Sequence, residues 1–257
     1  MKHKKNYEIL RVTTVAICMM TLLLSGCSSL PQNQAKRYFD NLYKRIPYRQ
    51  EGDHRVISLF YVTSRKVVDE PGSGLKFLPQ MGEDLTGGIL DAKIDPSLKI
   101  GKMSPEKLKS TGEIRLQSID KVDIDDLADK IWEAIDKSPH KSLLVLVFGF
   151  KDDFHTTAIK TAYYSYMLDV NTPILLFDWP GDQPVSIGGY EQAQANAKES
   201  GIYFGEVLAT IAKEIQPGDK IWIQASSLGC QVVCSGFEYM HENPTLADPQ
   251  EEIDHVF

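Results

Sequence analysis

Apolar positions along this chain change their period several times, and each change marks an element. "HRVISLFYVTSR" (54–65) is dense in β-branched and aromatic residues and reads as a strand. "VDIDDLADKIWEAIDK" (122–137) places Ile124, Leu127, Ala128, Ile131, Trp132 and Ile135 at helical spacing, with acids in the first turn where the dipole favours them. "SLLVLVF" (142–148) is a continuous apolar run, the pattern of a parallel strand covered on both faces. A helix is expected at 154–168, a strand in "PILLFD" (173–178), and a long helix at 190–215 after the loop "WPGDQPVSIGG". "QPGDK" turns the chain into the strand "IWIQA" (221–225), the helix "LGCQVVCSGFEYMH" follows, and "IDHVF" opens another strand. This alternation predicts an α/β fold, a mostly parallel sheet with right-handed crossovers and helices on both faces. Upstream, residues 69–90 hold Pro71, Gly72, Gly74, Gly82, Gly87 and Gly88 and read as loop, with short extended pieces at 88–94 and 113–119.

The amino-terminal stretch follows different rules. Lys2, Lys4, Lys5 and Arg11 precede an apolar run from Val12 to Leu24, which is too short to span a bilayer comfortably. Basic residues, a short apolar core and small residues at its end are the marks of a secretory signal. Leu24-Ser25-Gly26-Cys27 resembles a bacterial lipobox, after which the signal is cut and the cysteine is acylated. A plain signal peptide or an uncleaved anchor are the alternatives. Several acyl chains on Cys27 would hold the protein firmly to a membrane, because one chain alone binds reversibly. Ser28, rather than Asp, follows the cysteine, which resembles sorting to a Gram-negative outer membrane, on its periplasmic side. The expected organisation is a signal over 1–26, then a tether ("SSLPQNQ") and a short helix (35–46) within 27–52. The α/β domain over 53–257, incomplete at its carboxyl end, completes it.

Charge then removes some partners. Residues 1–26 hold four of the chain's 28 basic residues and one of its 35 acids, leaving 24 against 34, a net of −10. Nucleic-acid binding needs a basic footprint, so it is excluded. No P-loop, dinucleotide fingerprint or metal cluster is present, and no cofactor is expected. Asp120, Asp123, Asp125 and Asp126 lack the glycine turn and closing Glu of a calcium loop and read as a helix start. Cys230 and Cys234 lie four apart on one helix. They read as buried thiols beside its apolar stripe, with a disulfide as the alternative, and are a poor zinc signal.

Candidate chemistry centres on the serine pair in "IQASSLGC". A nucleophile elbow is a sharp strand-to-helix turn, so crowded that the residues two before and two after the serine must be small. Ala225 and Gly229 satisfy this for Ser227, whereas Gln224 and Leu228 do not for Ser226. The motif is A-x-S-x-G. An oxyanion hole needs two backbone N–H groups nearby. One would come from Leu228, the residue after the serine. The other would come from Phe150, just past Gly149 in "VFGFKDDF".

In order and spacing, "LLVLVFGF", "ILLFDWPG", the long helix from Tyr190 and "IQASSLGC" resemble a largely uncharacterised bacterial branch of the alpha/beta-hydrolase superfamily. "LFYVTSR" is similar to the strand that opens the family's domain. The resemblance covers roughly residues 55–257, and Trp179-Pro180 and the elbow are its most specific parts. It implies a serine-hydrolase fold with Ser227 as nucleophile, Phe150 and Leu228 at the oxyanion hole, and a small ester or acyl substrate. The chain departs from the family at Phe148 and Ser226, where the family has His, and at Asp178, where it has Ser. In this superfamily an acid and then a histidine follow the nucleophile, each after a later strand. "EEIDHVF" resembles only the start of the next strand, so both are expected beyond Phe257, together with the fold's last strands.

Histidines within the chain are poorly placed to substitute. His241 ends the helix after Ser227, about 20 Å away at ~1.5 Å per residue. His255 falls inside a strand, and His54 and His140 precede strands. His155 alone lies near the carboxyl edge, as a noncognate base or a solvated helix-start residue. Two functions therefore stand: a lipid-anchored serine hydrolase, or a catalytically inactive binding or structural lipoprotein, including the product of a shortened gene. Without a base, Ser227 keeps an alcohol's weak nucleophilicity.

Overall fold

The sheet's centre is built where the sequence is apolar without alternation. Strand β5 (Ser142–Val147) is buried at every position, and so is β6 (Ile174–Asp178). Both lie between two helical layers. Leu143, Val145 and Val147 join one core cluster with Leu175 and Phe177; Leu144 and Leu146 join the opposite one with Ile174 and Leu176. A period-2 backbone between two apolar layers demands this continuous hydrophobicity.

The computed structural model describes residues 49–72, 74–98, 105–168, 171–246 and 252–257. The signal, Cys27, the tether and the helix expected at 35–46 lie outside the described residues. Strands β1 (Arg49–Glu51), β2 (His54–Glu70), β3 (Gly74–Ile94) and β4 (Ile114–Val122) precede β5 and β6, and β7 (Lys220–Ala225) and β8 (Ile253–Val256) follow. The sheet order is β4-β3-β2-β6-β5-β7-β8, with β1 paired to β2. Strands β2, β6, β5, β7 and β8 are mutually parallel. β1 and β3 run against β2, and β4 runs against β3.

The helices are α1 (Pro105–Thr111), α2 (Ile124–Lys137), α3 (Phe154–Leu168), α4 (Ile187–Glu214) and α5 (Leu228–Glu242). One face carries α1 and α3, through Leu108, Phe154, Ala158 and Ala162. The other carries α2, α4 and α5, through Leu127, Ile131, Phe204, Leu208 and Val232. Asp123 caps α2, its side chain accepting from the Asp125 N–H (3.1 Å). Ser186 caps α4, which starts three residues earlier than its apolar pattern, at Ile187.

Two expectations are corrected. Residues 69–90 are not a loop: β2 and β3 form one long antiparallel hairpin that turns at Pro71-Gly72. Gly72 and Gly74, at φ 82° and 79°, shape the turn, whereas Gly82, Gly87 and Gly88 mark close approach rather than a chain break. A Cβ on Gly88 would lie 1.9 Å from the Asp120 carbonyl oxygen, and one on Gly87 would meet Ile124 and Leu127 at 2.7 and 2.8 Å. Pro79 is accommodated because β4 pairs only with Gly87–Ile94, leaving the outer half of β3 an edge. Second, Cys230 and Cys234 are free but exposed. α5 turns Leu228, Gly229, Val232, Val233, Ser235 and Gly236 inward, so its two cysteines fall outside that stripe.

Candidate active site

Strand β7 ends at Ala225, and the Ser226 N–H still reaches across to the Val147 carbonyl (3.1 Å). The next residue leaves the allowed path. Ser227 has φ 53° and ψ −126°, a backbone state that costs an L-residue about 1–3 kcal/mol and persists only where its surroundings enforce it. Helix α5 begins at once with Leu228. This is the strand-turn-helix geometry that an elbow serine requires, and it belongs to Ser227 rather than Ser226. Both serines are exposed, and the Ser227 side chain makes no capping bond to α5. The turn is as crowded as the motif demands: a Cβ on Gly229 would lie 2.5 Å from the Val147 oxygen and 2.7 Å from the Phe148 oxygen.

The loop after β5 lies against this serine. A Cβ on Gly149 would meet the Ser227 Cβ at 2.7 Å and its Oγ at 3.2 Å, so only glycine lets the loop backbone approach. Phe150 follows, its ring edge-on to Tyr190 at 5.5 Å. Lys151 has φ 87°, and its N–H donates to the Gly181 carbonyl (2.8 Å). Trp179 Nε1 donates to the Phe148 carbonyl (2.7 Å). The loops after β5 and β6 are thus bonded into one wall beside Ser227. On the other side Leu228 contributes the first amide of α5, which has no acceptor within its own helix and lies at the dipole's positive end. The structure therefore brings Ser227, Gly149-Phe150 and Leu228 to the carboxyl edge of the sheet.

Sequence reasoning missed a buried ionic network next to this wall. Arg65, near the end of the parallel part of β2, is 1% exposed. Its Nε donates to Asp178 Oδ2 (2.6 Å), its Nη1 to Asp182, and its Nη2 to the Asp152 carbonyl (2.9 Å). Asp178 also accepts from Thr63 (2.7 Å) and Thr157 (3.0 Å). Burial works against the Arg65 charge, but the Asp178 and Asp182 carboxylates outweigh it and raise its pKa. The departure at Asp178 thus supplies Arg65 with a partner. An arginine at the end of the run "HRVISLFYVTSR", and two aspartates at and just past the end of β6, were the available signal.

The histidines lie elsewhere or unbonded to the serine. His54 faces Asp95 (3.8 Å) at the amino end of β2. The His140 ring is 6.1 Å from that of Trp222, and His241 is exposed in the last turn of α5. His255 Nδ1 is 2.7 Å from Asp254 Oδ2 and is level with Trp222, five residues below Ser227. His155 is exposed in the first turn of α3, at the site's edge of the sheet. Among the described residues no histidine ring is hydrogen-bonded to the Ser227 hydroxyl, and no group of three or more His, Cys, Asp or Glu is arranged to hold a metal.

Comparison with known proteins agrees with the geometry. The family described as "Alpha/beta hydrolase of unknown function (DUF900)" matches residues 99–257, which include both loops of the wall, the elbow and α5. No curated protein and no solved structure matches the chain. With more than half of its length matched and an elbow of the required geometry, the chain belongs to this alpha/beta hydrolase family.

Proposed function

We propose that this protein is a bacterial envelope lipoprotein that hydrolyses an ester or related acyl group through Ser227. The observation that carries the reading is the strained backbone of Ser227, held at a strand-helix turn with Gly149 packed against its side chain. Strain of this kind is retained at reactive positions. In the reaction Ser227 Oγ bonds to the acyl carbon while its proton passes to a general base, for which His155, exposed at the same edge of the sheet, is the candidate among the described residues. The carbonyl oxygen gains charge opposite the Phe150 and Leu228 N–H groups, and the alcohol leaves with a proton. Water then releases the acid. An apolar acyl portion is favoured by the surroundings. Phe150 and Tyr190 meet beside the serine, and Val185 and Ile187, on the same loop and helix start, are 73% and 83% exposed. The anchor is Cys27, by the lipobox, with the periplasmic side of an outer membrane as its place. No helix among the described residues is long and apolar enough to cross a membrane.

Turnover of p-nitrophenyl esters of increasing chain length tests this. The parent is expected to release nitrophenol and Ser227→Ala to lose at least about 100-fold; equal rates would remove Ser227 from the chemistry. A catalytically silent binding lipoprotein is the second reading, favoured by the lack of a histidine bonded to Ser227 among the described residues. It predicts no turnover from a well-folded parent.

A further inference from the structure

Arg65 is an expensive residue to bury. Its side chain is fully covered, yet its nitrogens bind three separate stretches of chain: the end of β6 at Asp178, the following loop at Asp182, and the loop after β5 at Asp152. The backbone adapts to place it. Pairing between β2 and β3 shifts register on both sides of Arg65. The Arg65 N–H turns to Thr63 Oγ1 (3.1 Å), and Gly82 of β3 gives way to the Arg65 carbonyl, which a Cβ there would meet at 2.8 Å. Asp152 is held a second time, its carboxylate accepting from Lys160 (2.6 Å).

A buried ion pair is weak ground for stability, since apolar residues of similar volume do as well. What distinguishes this one is what it grips. The loop that supplies the Asp152 carbonyl also carries Gly149, against Ser227, and Phe150. Lys151, between Phe150 and Asp152, sits at φ 87° and binds Gly181, one residue before Asp182. A strained loop keeps its shape only if its surroundings over-determine it.

We propose that Arg65 is a positioning residue for the nucleophile. By joining Asp182 to the Asp152 carbonyl it fixes residues 149–153 against Ser227 and sets the direction of the Phe150 N–H. This rests on the reading of Phe150 as an oxyanion donor. The distinguishing variant is Asp182→Asn, which leaves the buried Arg65–Asp178 pair in place at the less covered end of the network. Two quantities are read on the full chain: amide hydrogen exchange, and the second-order rate of fluorophosphonate labelling. In labelling, the Oγ–P bond forms, P–F breaks, and fluoride and the hydroxyl proton leave as HF. The phosphonyl oxygen occupies the oxyanion position, so the rate reports on the hole.

Asp182→Asn is expected to speed exchange at 149–153 about 10-fold or more while β5 and β7 keep their protection, and to slow labelling about 10- to 100-fold. Asp182→Glu is expected to restore part of both. Unchanged exchange at 149–153 would overturn the proposal, as would loosening spread evenly over β5, β7 and α5. If the parent takes no label while Ser227→Ala behaves identically, the hydrolase reading fails, and the exchange result still decides whether Arg65 orders this loop.

Discussion

Ser227 and Ser226 are chemically the same residue, separated only by what surrounds them. The sizes of Ala225 and Gly229 selected Ser227 from sequence, and the structure places the positive φ there. That choice was legible because crowding at a tight turn acts on near neighbours in the chain. Gly149 was named for its place before a donor. Its close approach to the Ser227 Cβ involves residues 78 positions apart, and sequence alone does not reveal it. Arg65 was illegible for the same reason: its partners lie more than 80 positions away. The backbone strain at Ser227 has a measurable consequence. Ser227→Gly removes the Cβ from a conformation glycine adopts freely, and is expected to stabilise the protein by about 1 kcal/mol. That is a rise in Tm of about 2–4 °C, with all reactivity lost. An unchanged or lower Tm would mean that the elbow is not strained.

The middle strands declared themselves because burial on both faces of β5 and β6 leaves polar residues only at their ends, and β5, β6 and β7 begin and end within about a residue of the runs read from sequence. The β2–β3 hairpin did not. Its glycines and Pro79 imitate a loop, although Gly82, Gly87 and Gly88 each answer a neighbour and Pro79 an open edge. Gly88 is the sharpest case, with backbone on one side and the Tyr61 ring on the other: a Cβ would stand 1.9 Å from Asp120 O and 2.7 Å from Tyr61. Gly88→Ala is therefore expected to cost about 2–3 kcal/mol in urea unfolding, within the range for overpacking against atoms that cannot yield. A cost below about 0.5 kcal/mol would restore the loop reading. Helix α5 teaches a related lesson. Its period was clear, but which residues flank the buried stripe depended on α4. Gly201 and Gly205 come so close to α5 that small residues, not cysteines, occupy the contact: a Cβ on Gly201 would lie 2.4 Å from the Ser235 Cβ.

Over the whole molecule, the net of −10 after residue 26 and the exposed Val185 and Ile187, in the loop after β6 and the first turn of α4, describe a protein that turns acid to solvent yet leaves apolar side chains exposed there. An acyl-bearing substrate near a membrane suits both, and the anchor belongs to the same reading. Metabolic labelling with palmitate is expected to tag the parent in bacterial membranes, while Cys27→Ala takes no label and stays at the precursor's mass; tagged Cys27→Ala would exclude the lipobox. The chemistry itself is judged most directly by fluorophosphonate labelling of the purified chain beside Ser227→Ala, with the modified peptide identified by mass. Label confined to the peptide that contains Ser227, and absent from the variant, is what an activated elbow serine requires. A folded parent that takes no label, or label that persists in Ser227→Ala, would leave an alpha/beta hydrolase fold whose serine performs no hydrolysis in this chain.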